Sequence, residues 1–537
     1  MVQGLSVADW AVVGLYFFII LLVVLWSRWK GRNEKTPGQY FLAGKNVGWV
    51  IIGASLFASN IGSEHLVGLA GSGATRGVAV AQFEVLAGFI LLLLGWVFVP
   101  FYLRSGVYTM PEFLERRYSG GPRLYLAIIS IAGYVLTKIS VTVAAGGIVF
   151  ETLMGIDFWT GALITVVATG LYTALGGLRT VLYTDFVQLF VLLAGSIAVT
   201  VLGLEAVGGW GALKEAAGAA HFDIWKPSSD PDYPWTGILF GAPILAVWYW
   251  CTDQFIVQRV LSARNETAAR RGTIFAGFLK MLPLFIFVIP GVIAFVLAQS
   301  GRLELARNDN ALPALVGALL PSGLKGLVAA GLLAALMSSL SSVFNSCSTL
   351  FTMDIYRRWH PTAGPRTLVV VGQVAVIVLV ALGLAWIPFM SVVSGQLFTY
   401  VQSVQSYISP PIAAVFLLGI LWPRANSRGA VAALSVGFVL GLGRLILEIN
   451  KAHLSGIAFT LADTNFLHVA ILLFLVCCLT LVVVSSLTAA PDRGKLTDLT
   501  YATLKTPIRF ARMPKSDMVL SALLVAAIAA IWIYFRG

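Results

Sequence analysis

Apolar runs of about 20 residues recur along the whole chain, each separated from the next by a short stretch carrying Arg, Gly or Pro. A helix rises 1.5 Å per residue, so a run of about 20 residues crosses a hydrocarbon core of about 30 Å. Within lipid every backbone N–H and C=O must be satisfied inside the segment, which makes such runs α-helices. The chain is therefore read as an all-α, polytopic membrane protein. Composition agrees: 11% of residues are charged, against about 25% in a soluble domain. The first run, Ala8 to Ser27, lacks a basic n-region and a small-residue cleavage site. It is read as a retained helix rather than a signal peptide.

Apolar length and breaker positions predict fourteen membrane segments, near 8–27, 48–74, 78–103, 123–151, 158–176, 180–204, 236–259, 272–299, 325–353, 367–387, 391–422, 429–448, 466–489 and 517–535. Lys and Arg orient them. With both termini outside, 25 of the 36 basic residues fall in cytoplasmic loops, 8 fall outside, and Lys138, Lys280 and Arg444 lie within segments. Arg259 is counted with the cytoplasmic loops. That bias repeats loop after loop, as the positive-inside rule requires. The net charge of +12 is thus a topology signal and not a nucleic-acid footprint. Short surface helices are expected in the external loops 205–235 and 300–324. The four cysteines (Cys251, Cys347, Cys477, Cys478) lie in apolar segments without a CxxC pair, which reads as buried small hydrophobes rather than zinc or redox chemistry. No Walker loop, HExxH or nucleophile elbow is present to support an enzyme.

Ionisable residues inside a membrane are expensive and mark function by default. Glu84, Asp185, Asp253 and Lys280 fall inside segments. Glu84 and Lys280 read either as an ion pair fixing helix register or as a pair lining an aqueous cavity. The run Ala58-Ser59-Asn60-Ile61-Gly62-Ser63, followed by Glu64 and His65, interrupts the second segment. Unwound backbone there would offer carbonyl oxygens to a cation; small-residue helix packing is the competing reading. Ser338, Ser339, Ser341 and Ser342 form a hydroxyl cluster in the ninth segment, either a cation site or serines bonding back to their own helix. Trp248-Tyr249-Trp250 precedes a polar interruption at Cys251-Thr252-Asp253-Gln254, which suits stacking on a sugar ring. Gln396, Tyr400, Gln402 and Gln405 give the eleventh segment amides able to bond a polyol or neighbouring helices. Asp354, near the cytoplasmic edge, is expected to cap a helix or pair with Arg357 or Arg358. Interrupted second and seventh segments each open a run of five helices, the pattern of an inverted-repeat transporter with its site near mid-bilayer.

These residues bring a resemblance into view. Tyr40-Phe41-Leu42-Ala43-Gly44, Gly53-Ala54-Ser55-Leu56-Phe57-Ala58-Ser59-Asn60-Ile61-Gly62, Pro111-Glu112-Phe113, Tyr183-Thr184-Asp185, Trp248 to Gln254, Leu279-Lys280, Phe351 to Tyr356 and Pro410 to Phe416 stand in one order over roughly residues 36–440. The chain resembles the sodium/solute symporter family, and within it the sodium/glucose cotransporters. The resemblance implies a five-plus-five inverted-repeat (LeuT-like) core. It divides the chain into an N-terminal helix and linker (1–47), a first repeat (48–204), an external loop (205–235), a second repeat (236–422) and C-terminal accessory helices (423–537). It implies a first Na+ site at Ala58, Ile61, Ala335, Ser338 and Ser339, and a second at Asp185, Ser341 and Ser342. A monosaccharide would meet Asn60, His65, Glu84, Lys280, Trp250 and Gln402, with Tyr249 as inner gate and Phe83 and Phe398 as outer gates. The implied function is sodium-coupled import of glucose or galactose by alternating access, with no protein partner required. Inositol, sialic acid or an amino acid as solute, or a non-concentrating sensor or channel, are the alternatives. Ala246, Thr399 and Gln405 depart from residues common in the animal carriers and leave the choice of sugar open. The long cytoplasmic insertion of animal members is missing before the last helix, which implies a bacterial inner membrane.

Overall fold

The computed structural model describes residues 5–30, 36–62, 64–305, 310–390, 397–505 and 514–536. Among them, eleven helices are long and apolar enough to cross a membrane, and two shorter apolar helices, Trp49–Asn60 and Gly237–Thr252, accompany them. The longest helical run, Phe158–Val207, has 50 residues. Straight, it would extend about 75 Å, more than twice the hydrocarbon core. It turns instead at Gly177, where φ is 58° and ψ is −162°, a conformation essentially reserved for glycine. The expected segments 158–176 and 180–204 are therefore one helical run folded at that residue.

The centre of the protein is Leu324–Leu350. It lies along Phe158–Val207 and also touches Val7–Lys30, Trp49–Asn60 and Ser140–Met154. Its many Ala, Gly and Ser residues permit backbones to approach closely, the main route to tight helix packing where lipid removes any hydrophobic drive between helices. Gly331 shows this: a Cβ there would press on the backbone of Val191 and Leu192.

The two faces are fastened differently. On one, Asp9 accepts from the N–H groups of Gly323 and Gly326, both at 2.7 Å, and Ile224 donates to Phe535 O at 2.9 Å. Both chain ends thus sit with the long loops 205–235 and 300–324, which carry the short helices Trp210–Ala217 and Ala311–Leu319. The opposite face is clamped by arginines. Arg117 holds the carbonyls of Gly419, Ala425 and Trp422 at 2.6, 2.9 and 3.0 Å. Those carbonyls belong to a helix C-terminus and its exit turn, which lack intrahelical partners. Arg270 and Arg271 both grip the buried Asp517.

Two expectations are corrected here. Asp354 pairs with Arg123 at 2.7 Å and Thr109 at 2.9 Å, not with Arg357 or Arg358; the partner is 231 residues away, beyond the reach of any local pattern. Arg259, counted as a cytoplasmic loop residue, is fully buried.

Candidate functional site

Two broken helices position the site. Trp49–Asn60 stops at Ile61, whose φ of −73° and ψ of 97° are extended; the chain resumes in the wide turns Glu64–Leu69 and then Ala70–Arg76. Helix runs through Ala58, Ser59 and Asn60, so the break is shorter than the sequence suggested. A helix end leaves carbonyls without intrahelical partners. Ser339, from Leu324–Leu350, donates to two carbonyls here, Ser59 at 3.0 Å and Ile61 at 3.2 Å. The second break falls at Asp253, extended at φ −75° and ψ 127°, between the turn Val247–Thr252 and the helix Gln254–Leu261. Asp253 caps the latter through Phe255 N at 3.2 Å; its Oδ2 has no hydrogen-bond partner among the described residues.

Beside the first break lies a cavity with about 730 Å3 of empty space, part of it open to solvent. Asn60, His65, Glu84, Trp250, Lys280 and Gln402 all line it, together with Phe83, Tyr249 and Gln405. Six residues expected to meet the solute therefore converge, each from a different helical element or its cap. Phe398 lies outside the residues whose side chains are described. Polar groups form one connected chain. Lys280 donates to Glu84 and, at 2.5 Å, to Asn60 Oδ1. His65 Nε2 lies 3.3 Å from the other Glu84 oxygen. Asn60 Nδ2 donates to Tyr249 Oη at 2.9 Å, and Lys138 Nζ to the same oxygen at 3.2 Å. The Lys280 ammonium also stands 5.5 Å from the centre of the Trp250 ring. Glu84 and Lys280 are in direct contact, and both line the cavity. A carboxylate, an amide, an ammonium and an indole face are a donor–acceptor set suited to a molecule with many hydroxyls and an apolar ring face.

The serine cluster lies next to this cavity and resolves into two behaviours. Ser341 and Ser342 bond back to Ser338 O at 3.0 and 2.6 Å, as serines in membrane helices commonly do. Ser338 and Ser339 reach across, and Ser342 does both. Ser338 donates to Asp185 at 2.6 Å, and Ser339 to the broken helix as above. Ala58 and Ala335 are buried on the two facing helices. Asp185 is fully enclosed. It accepts from Ser55 at 2.5 Å and Ser59 at 2.9 Å, and Arg259 stands 3.5 Å from it. Neither Ser341 nor Ser342 touches the carboxylate; Ser342 reaches it through Ser59 Oγ, at 2.9 Å, and accepts from Arg259.

Ser55 and Arg259 were not singled out by sequence, and Ser59 only as part of the interrupting run. Ser55 and Ser59 are four apart and so share the helix face that points at Asp185; with Arg259 at a segment end, only the carboxylate opposite would have revealed them.

A model of the sodium:solute symporter family matches residues 40–437. The rabbit (Oryctolagus cuniculus) sodium/glucose cotransporter 1 is 41% identical over 526 residues, covering 90% of this chain and 79% of that protein. The mouse (Mus musculus) sodium/myo-inositol cotransporter is 39% identical, covering 94% of this chain and 76% of that protein. Among solved structures, a substrate-bound, outward-open Na+-coupled sialic acid symporter superposes with a TM-score of 0.80 at 23% identity, covering 91% of this chain and 99% of that one.

Proposed function

This chain belongs to the sodium:solute symporter family, and from that premise we propose that it is a sodium-coupled symporter importing a monosaccharide such as glucose or galactose. One observation carries the reading: the polar chain His65–Glu84–Lys280–Asn60–Tyr249 lines a cavity directly beside the break where Ser339 meets the Ile61 carbonyl. Sodium is the coupling ion. Held by the carbonyls of Ala58, Ile61 and Ala335 and the hydroxyls of Ser338 and Ser339, it ties the broken helix to Leu324–Leu350 and so shapes the solute cavity. Carbonyl and hydroxyl oxygens are the hard ligands a small alkali cation prefers. A second sodium would be held near Asp185, with Ser341 and Ser342 nearby. Glu84, Asn60 and Gln402 accept or donate to sugar hydroxyls, Lys280 donates, His65 steadies Glu84, and Trp250 covers the ring. Phe83 and Phe398 close the outer side and Tyr249 the inner.

The geometry also supports fourteen crossings: Phe158–Val207 counted twice at Gly177, and each broken helix counted once. The two inverted repeats are then 48–204 and 236–422, flanked by 1–47, 205–235 and 423–537. The arginine-clamped face is cytoplasmic and both termini are external, in a bacterial inner membrane. A monovalent charge falling through 100 mV releases about 2.3 kcal/mol, enough for about a fifty-fold solute gradient at about 1.4 kcal/mol per tenfold.

Uptake of labelled glucose into vesicles holding the purified protein tests this. An inward sodium gradient should accumulate glucose above its external concentration. Uptake that ignores sodium, or only equilibrates, would mark a sensor or channel. Competition by myo-inositol over glucose would move the solute to the inositols, which the 39% identity to the mouse carrier keeps in contention.

A further inference from the structure

The last helix, Lys515–Tyr534, lies outside both repeats expected from sequence. It nevertheless packs against the two helices that carry Glu84 and Lys280. Its buried residues form one stripe. Asp517, Leu524, Ile528 and, just past the helix end, Phe535 are buried, at spacings of four and seven that keep to one helix face. Val519, Leu520, Leu523 and Ile533 on the other faces are exposed, as residues turned toward lipid would be.

Polar bonds fasten that stripe at both ends. At one end Asp517 accepts from Arg270 Nε at 3.1 Å and Arg271 Nε at 2.7 Å, both on Glu266–Leu279. At the other, Trp532 Nε1 donates to Gln82 Oε1 at 2.8 Å, on Gln82–Leu93, two residues before Glu84. Between these ends Leu524 and Ile528 settle where each neighbouring helix lacks a side chain. A Cβ on Gly277 would fall 2.5 Å from Leu524 Cδ2, and one on Gly88 would fall 2.8 Å from Ile528 Cδ1. Leu524 and Ile528 form a small core of their own with Val85 and Met281. These are the residues that directly follow Glu84 and Lys280. The pair lines the solute cavity, and its chain neighbours are held by the last helix.

We propose that Leu524 and Ile528 are positioning residues for the solute: seated across both helices, they fix the register of Glu84 against Lys280 and so set affinity for the polyol. The proposal rests on reading the Glu84–Lys280 cavity as the solute site. Leu524 bears on the helix of Lys280 and Ile528 on the helix of Glu84. The two side chains stand one turn apart on a single helix, so neither neighbour slides without the other. Close-packed side chains pass a displacement on rather than absorb it. Hydrogen bonds weaken steeply with misalignment, so a small slide would spoil the set that Glu84, Lys280 and Asn60 present to a sugar. A helix that only sheathed the bundle would need neither glycine seats nor a bond to Gln82.

Labelled glucose uptake by the full chain in vesicles tests it. In Leu524→Ala with Ile528→Ala, half-saturation for glucose should rise about fivefold, the scale of one weakened hydrogen bond to a charged group. The maximal rate and the half-saturation for sodium should stay within about twofold. Leu524→Met with Ile528→Val keeps most of the volume and should return glucose half-saturation to the parent value. Unchanged glucose half-saturation in the double alanine variant overturns the proposal. So does a parallel loss of rate and sodium response, which marks general loosening. Should the double alanine variant not fold, Gly277→Ala pushes Leu524 from its seat without emptying the core, and the same rise or its absence decides. A cycle with Glu84→Gln shows whether the effect runs through the pair. Adding the two alanines to Glu84→Gln should change glucose binding less than about twofold, and a further fivefold loss overturns the proposal. Failure of the solute site itself would appear separately, as parent-like glucose binding by Glu84→Gln alone.

Discussion

Two buried acid–base pairs sit in neighbouring parts of the same bundle and do opposite things. Glu84–Lys280 borders a cavity, and each partner has further polar company facing that space: His65 for the carboxylate, Asn60 for the ammonium. Asp185–Arg259 is sealed, with Ser55, Ser59 and Ser338 filling the carboxylate and Ser55, Ser342 and the Phe255 carbonyl filling the guanidinium. A sealed pair contributes chiefly by not being broken, because removing one partner leaves an uncompensated buried charge. A pair beside a cavity can exchange part of its bonding for a solute at little net loss, since polar groups of the solute replace what is given up. The difference lies in what surrounds each pair, not in the pair itself.

The sharpest way to break this comparison is to remove one charge from the sealed pair. Arg259→Met should destabilise the protein by about 3–5 kcal/mol, read as a lower thermal midpoint in detergent. Arg259→Met with Asp185→Asn should recover most of that loss. A single variant as stable as the parent would mean that Asp185 is not sealed.

Next in size is Glu84→Ala. Losing a charge-assisted hydrogen bond set is worth about 1.5–3 kcal/mol. Solute affinity should fall about 10- to 100-fold at about 1.4 kcal/mol per tenfold, with the thermal midpoint much less affected than in Arg259→Met. Glucose binding in detergent and melting curves on the same sample check both halves. Normal affinity with a collapsed midpoint would exchange the roles of the two pairs.

The sequence made one of these regions far more legible than the other. Membrane segments are visible because lipid imposes a minimum apolar length, and the two breaks are visible because Gly62 and Asp253 interrupt such runs. Glu84, Lys280, Trp250 and Gln402 stood out as polar or aromatic groups inside apolar segments; their grouping with Asn60 and His65 around one solute came from the resemblance. The sealed cluster was legible at its carboxylate and at Ser338 and Ser342, but not at its guanidinium. Arg259 ends an apolar stretch and so reads as an interface residue, while its burial depends on Asp185 and Ser342, 74 and 83 residues away in sequence. Ser55 and Ser59 looked like small packing residues, and they are that too. A cluster assembled from four helices leaves no trace in any one of them.

A smaller effect separates the two serine behaviours. Ser339→Ala removes the one hydroxyl that bridges Leu324–Leu350 to the carbonyls of Ser59 and Ile61. One neutral hydrogen-bonding group is worth about 1 kcal/mol, so half-saturation by sodium should rise about fivefold while glucose affinity at saturating sodium stays within twofold. Ser341→Ala, whose hydroxyl bonds back to its own helix, should change neither; equal effects from both would dissolve the distinction.

The last change is the most pointed, because it asks whether the sealed pair is only structural. Asp185 has an arginine beside it and three hydroxyl donors, so its charge is compensated before any ion arrives. For a second sodium to bind there, Arg259 must withdraw or the ion must sit on the outer lone pairs of Ser338 and Ser342. Asp185→Asn keeps the shape and removes the charge. If a second ion is carried on this carboxylate, the charge moved per glucose, measured as current against labelled uptake, should drop from about two to about one, since each sodium carries one charge. The guanidinium, left without its acid, would then add a repulsive charge at the same spot and deepen the loss. An unchanged ratio would assign Asp185 to holding Arg259 alone and leave the Ser339 site as the single point of sodium coupling.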